Sequence, residues 1–159
     1  MSFVSLTDAK IDALLRMEKR VINPTKRTVQ DANHFKCDYQ VASADEAERF
    51  VLFVRQNKTV TDDFSCGLQW LPPGSPALIL VRYNGPSHTH PNRIEGDRLE
   101  FVSHIHRTTE RYLRANLKPE GFAEQTKVFT TWQGALHALV TNSNITGLET
   151  NPEHPELFP

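Results

Sequence analysis

Residues 34–41 alternate without a break: Phe35, Cys37, Tyr39 and Val41 are apolar, while His34, Lys36, Asp38 and Gln40 are polar. Successive side chains of a strand point to opposite faces, so this pattern sets one face in a core and the other in water. A chain holding such a strand needs a sheet around it and a layer to cover its apolar side. Neighbouring segments supply the sheet. Phe64, Cys66, Leu68 and Trp70 alternate over 62–70. The aromatic and β-branched run Phe50–Val54 predicts a strand over 48–56, after a short helical turn capped by Ser43 and Glu46. Beyond the turn Pro72-Pro73-Gly74-Ser75-Pro76, the apolar run from Ala77 to Tyr83 reads as a central strand. Further strands are expected over 98–106 and 127–130.

Helices are expected at both ends. Thr7 and Ser5 precede Ile11, Leu14 and Leu15, with Asp8 in the first turn, which predicts a helix over 7–20 closed by Lys19-Arg20. Thr131 caps a closing helix with Trp132, Leu136, Leu139 and Val140 on one face, ending near Gly147. Residues 107–118 read as a helical turn or a strand extension. The order predicts an α+β domain over 1–148, with a mainly antiparallel sheet of about five or six strands and an N-terminal and a C-terminal helix. Residues 149–159 read as an acidic, proline-rich tail.

Composition narrows the function. A net charge of −1 excludes a globally basic nucleic-acid coat. No apolar run approaches the ~20 residues of a membrane-spanning helix, and the first residues lack the order of a secretion signal. Cys37 and Cys66 fall on apolar faces and in no CxxC pair, so buried thiols are expected. These features predict a cytoplasmic protein without a membrane partner. No P-loop or G-x-G-x-x-G occurs, which argues against a nucleotide hydrolase or a dinucleotide enzyme.

The chemistry gathers in one stretch. Of seven histidines, four lie in two H-x-H pairs, His88 with His90 and His104 with His106. On a strand, residues two apart share a face. The surrounding segment 82–118 holds Arg82, Arg93, Arg98, Arg107, Arg111, Arg114 and Lys118 against Glu95, Asp97, Glu100 and Glu110, an excess of +3. The leading reading is a metal-independent phosphodiesterase or endoribonuclease without a cofactor. In it Arg82 holds phosphate, and His88 exchanges protons with His104 or His106, since imidazole populates both states near neutrality. Arg107, Arg111 and Arg114, at helical spacing, would add phosphate contacts, with RNA or a host or phage protein as partner. A non-catalytic binding or inhibitor module, anti-defence or antitoxin-like, could use the same basic surface. In a third reading His88, His90, His104 and His106 ligate a metal, with Glu95 or Glu100 as a carboxylate ligand.

Arg82-Tyr83-Asn84-Gly85-Pro86-Ser87-His88-Thr89-His90-Pro91-Asn92, followed by His104-Ile105-His106 and Tyr112, resembles a family of short uncharacterised bacterial and prophage proteins. Its pattern runs R-x-D, G-P-x-H-x-N-P-D-G, H-x-H-x-Y and a final helix with W and N-I, which Trp132 and Asn144-Ile145 match. Asn84, His90, Asn92 and Thr108 replace the family's acid, asparagine, second aspartate and first tyrosine. The resemblance implies a mobile-element context and no defined activity. With the acids missing, it favours a set of Arg82, His88, His104 and His106 over a metal site shared with the family.

Overall fold

The computed structural model describes residues 5–150, so the expected tail from residue 151 onward lies outside the described residues. Thr7 caps α1 (Asp8–Arg16), its hydroxyl accepting from the Lys10 amide at 3.1 Å. The helix stops at Arg16, short of the Lys19-Arg20 pair expected to close it. Lys19 instead opens β1 (Lys19–Val21), and its buried Nζ donates to the carbonyls of Leu15 (2.7 Å), Met17 (3.0 Å) and Ser143 (2.8 Å). Helix ends leave carbonyls unpaired, and one ammonium with three donors gathers those of two helices.

After β2 (Val29–Gln30), an antiparallel meander runs through β3 (His34–Ser43), β4 (Arg49–Asn57), β5 (Phe64–Trp70) and β6 (Leu78–Asn84). The helical turn expected between β3 and β4 is a tight hairpin connection, with Glu46 at φ 61° and the Ser43 hydroxyl accepting from the Glu48 amide. The strand expected over 98–106 is two strands in different sheets. Phe101 adopts φ 48° and breaks it. Its first part, β8 (Arg98–Glu100), pairs with β7 (Thr89–Pro91) in a separate hairpin, and its second, β9 (His104–Arg107), joins the main sheet beside β6.

The chain closes with α2 (Glu110–Arg114), β10 (Phe122–Gln125), α3 (Trp132–Asn142) and β11 (Ile145–Thr146). Residues 127–130 form no strand; Phe129 is buried there and stacks on Tyr83 with centroids 5.5 Å apart. The edge strand is β10, which pairs with β9. Helix α3 ends at Asn142, earlier than the Gly147 boundary, because Asn144 takes the left-handed conformation at φ 54°. The main sheet has nine strands, ordered β10-β9-β6-β5-β4-β3-β1-β11 with β2 beside β3, and every pairing is antiparallel except β1 with β11. The domain is α+β as expected, but two- and three-residue strands and a short third helix exceed the expected count.

Alternation gives the sheet two unlike faces. Cys37, Tyr39, Val41, Leu52, Val54, Cys66, Leu68 and Tyr83 form one core with Ile11, Leu14, Leu136 and Leu139 of α1 and α3. Each fully buried leucine here contributes roughly 1.5–3 kcal/mol. Both cysteines are free and buried, and both tryptophans belong to the core. Helix-to-helix contact also runs across the ends: Asp8 accepts from the Glu110 amide at 2.8 Å, and Glu110 accepts from the Asp8 amide at 3.2 Å. Among the described residues no helix is long and apolar enough to cross a membrane. The opposite face, which carries Asp38, Phe53, Ser65, Arg82, Asn84, His104 and His106, has no helix of this core over it.

Candidate functional site

Strands β6 and β9 pair so that Arg82 stands opposite His106 and Asn84 opposite His104. Directly opposed residues project from the same face, so these four side chains share the face away from the helices, while Ile105 and Arg107 point the other way. The H-x-H spacing on β9 therefore delivers two adjacent imidazoles, with centroids 4.9 Å apart. The β7–β8 hairpin brings the other pair over them. The His88 ring meets His104 edge-on at 4.9 Å, and His90 lies against His106 at 4.5 Å and near-parallel to His104 at 6.1 Å.

The hydrogen bonds settle which nitrogens are free. His104 Nδ1 lies 2.8 Å from the Val102 carbonyl and His106 Nδ1 3.0 Å from that of Glu120. A carbonyl only accepts, so each Nδ1 carries the proton and each Nε2 keeps a lone pair. Both Nε2 atoms are buried without a partner. One nitrogen each from His88, His104 and His106 lies within 4.8 Å of the others. His88 Nδ1 is 3.2 Å from the Ser87 hydroxyl, which leaves Nε2 as its open nitrogen. His90 differs: its Nε2 donates to the Gly121 carbonyl at 2.6 Å, so it walls the cluster rather than joining it.

The supporting shell is polar and well anchored. The buried Asn92 side chain donates to the Ala123 carbonyl and accepts from the Ala123 amide, both at 2.9 Å, pinning the hairpin to β10. Tyr112 donates to Glu95 at 2.6 Å, and Arg111 also pairs with Glu95. Gly67, next to Arg82 across β5, has no room for a side chain, since a Cβ would sit 2.2 Å from the Phe53 ring.

Burial and the neighbouring Arg82 disfavour the charged form of the three rings. Burial, then the Arg82 guanidinium, then His90 lower the His88 pKa. For His104 burial acts first, against the Val102 bond that raises it. Burial, Arg82 and His104 push His106 furthest, to about 2. Burial also draws the Arg82 guanidinium down, and Glu120 opposes this. Arg82 makes no ion pair among the described residues, and its Nε is buried without a partner, as is Asn84 Oδ1.

A model of a family of unknown function, DUF6978, matches residues 6–143. The chain belongs to the DUF6978 family. No curated protein and no solved structure matches it.

In this DUF6978 chain His88, His104, His106 and Arg82, expected from the sequence to act together, do meet. The other arginines do not join them. Arg107 faces the helices and pairs with Asp12, Arg111 pairs with Glu95, and Arg114 with Glu110 at 2.7 Å. Glu95 and Glu100, the carboxylates weighed as ligands, bond instead to Tyr112 and Arg111 and, at 4.0 Å, to Arg98. The sequence pattern does not mark Asn84 and Glu120 as site residues: Asn84 takes its place through register with β9, and Glu120 lies in a loop. A cleft of about 960 Å³ opens on the helix-covered side, beside Tyr39, Trp132 and Leu136, and no histidine of the cluster lines it.

Proposed function

We propose that this DUF6978 protein is a histidine-ligated metal protein, in which His88, His104 and His106 hold one divalent transition-metal ion. The observation that carries this reading is the pair of buried, unpartnered Nε2 atoms on His104 and His106, in a group where one nitrogen each of His88, His104 and His106 lies within 4.8 Å of the others. Leaving a buried acceptor unsatisfied costs about 1–3 kcal/mol, and two side by side call for a shared ligand. The Nδ1–H bonds to Val102 and Glu120 are the orienting contacts that metal-bound imidazoles commonly make. Three protein ligands leave a coordination position open, as in catalytic rather than structural zinc sites. Imidazole donors suit zinc, cobalt, nickel or iron, and the open position can bind water and acidify it.

The metal-free readings draw less support. Acid–base exchange needs one imidazolium near neutrality, whereas burial and Arg82 disfavour the charged form of all three rings. A basic docking surface needs unpaired arginines, and Arg107, Arg111 and Arg114 each face a carboxylate.

The test is direct. Untagged protein, stripped with chelator and titrated with zinc or cobalt, is expected to retain one equivalent after gel filtration. The His104→Ala/His106→Ala double variant, shown folded by circular dichroism, is expected to retain less than a tenth of that. Wild-type protein that binds no zinc, cobalt, nickel or iron at micromolar concentration overturns the proposal.

A further inference from the structure

Among the described residues, a metal ion accounts for only two of the four buried polar side-chain atoms that lack partners. The other two, Arg82 Nε and Asn84 Oδ1, sit on the same face, directly across the ladder from His106 and His104. They are of opposite kind. Arg82 Nε–H is a donor with nothing to accept from it, and Asn84 Oδ1 is an acceptor with nothing to donate to it. A ligand that completes the site must therefore offer oxygen to the metal, an acceptor to Arg82 and an O–H to Asn84.

Charge narrows the choice further. An imidazole binds a metal through a lone pair and brings no charge, so a divalent ion would keep its full charge. Arg82 adds a cation that has no ion pair among the described residues, and the carboxylate near it, Glu120, already faces Lys118 Nζ at 3.4 Å. Such a site calls for an anion. A carboxylate offers two coplanar oxygens and no hydrogen. A tetrahedral phosphate offers oxygens in several directions, so one can reach the metal while another reaches the guanidinium. The O–H for Asn84 then comes from a protonated phosphate oxygen or from a water held beside the phosphate. Guanidinium is also the side chain best matched to phosphate geometry.

We infer that the open position of the site takes a phosphate group, bridged between the metal ion and Arg82, with Asn84 accepting the hydrogen of the adjacent water or phosphate hydroxyl. This rests on the metal reading above. Entry is from the side of His88, the exposed member of the three. Inorganic phosphate, a phosphate monoester and a phosphodiester share this chemistry, and the experiment distinguishes them.

The full chain loaded with cobalt(II) is titrated separately with inorganic phosphate, phenyl phosphate, dimethyl phosphate and acetate, and the visible cobalt spectrum is followed. At least one phosphate compound is expected to shift the spectrum saturably, and acetate to do so at least tenfold more weakly. The compound with the lowest half-saturation identifies the source. Arg82→Gln is expected to weaken that binding at least tenfold while cobalt stoichiometry stays at one, and Arg82→Lys to fall between the two. Asn84→Ala is expected to weaken it a few-fold. Retained cobalt stoichiometry shows that the site is folded in each variant. Cobalt bound with no response to any phosphate, acetate binding as tightly as phosphate, or unchanged phosphate binding in both Arg82 variants overturns this inference and leaves the metal site standing. Failure of wild-type protein to bind cobalt is a failure of the metal reading instead, and the phosphate inference falls with it.

Discussion

On the helix-covered face, Lys19 is wholly buried and its ammonium donates to three carbonyls, while Tyr83 accepts from Asn142 at 2.9 Å and the Cys66 thiol reaches the Trp132 carbonyl at 3.7 Å. On the open face, Arg82, Asn84, His104 and His106 each leave one buried polar atom without a partner. Among the described residues every such orphan lies on that second face. The same sheet thus pairs its buried polar side chains on one side and leaves four such atoms unpaired on the other. Stability and binding should accordingly separate by face, and substitutions can test how cleanly.

The largest effect is expected in the covered core. Leu52→Ala removes a side chain with no exposed surface and should cost about 2–5 kcal/mol in denaturant unfolding. Cobalt stoichiometry at room temperature should not change. A variant that loses its metal while still folded would break the separation.

Lys19→Met should cost about 3 kcal/mol, because it strands the carbonyls of Leu15, Met17 and Ser143. Burial lowers the Lys19 pKa to about 8, below its ordinary value of 10.5. Between those values the unfolded chain binds more protons at this site than the native one, so the Lys19 contribution to stability rises with pH. The advantage of wild type over Lys19→Met should therefore be flat below pH 8 and grow from pH 8 towards 10. A difference that shrinks over that range would contradict the burial assigned to Lys19.

The smallest effect is expected at Arg107. Its pair with Asp12 is about two-fifths exposed on both sides, so Arg107→Gln should cost less than ~1 kcal/mol. Facing the helices, it should leave phosphate binding within twofold of wild type. Weakening as large as that of Arg82→Gln would mean that the basic surface, not the open face, binds the anion.

The sequence is most readable where one face is covered and the other wet. Strands β3, β4 and β5 carry that contrast residue by residue, and the caps Thr7 and Thr131 mark their helices. Elements held by backbone pairing alone leave little trace: β11 has two residues, and Phe122–Gln125 becomes a strand by taking the free edge of β9, although Lys127–Thr130 has the stronger β-forming composition. No aromatic residue announces a left-handed backbone, so the break at Phe101 was invisible. In the site, His104 and His106 were readable because they share one regular strand. His88 and His90 have the same spacing but straddle a loop and a three-residue strand, and one of them turns its nitrogen away. The partners Asn84 and Glu120 depend on cross-strand register and on a loop path, which periodicity does not carry.

Asn92 has a consequence for how these molecules meet one another. An edge strand displays backbone donors and acceptors that can recruit a strand from a second chain and start sheet-to-sheet association. On β10 the outward amide and carbonyl of Ala123 are already occupied, both by the one Asn92 side chain. At the far end of the sheet, β11 offers only two residues. One border is stoppered, and the outer strands β11 and β2 have two residues each, so neither offers a long template for pairing with a second chain.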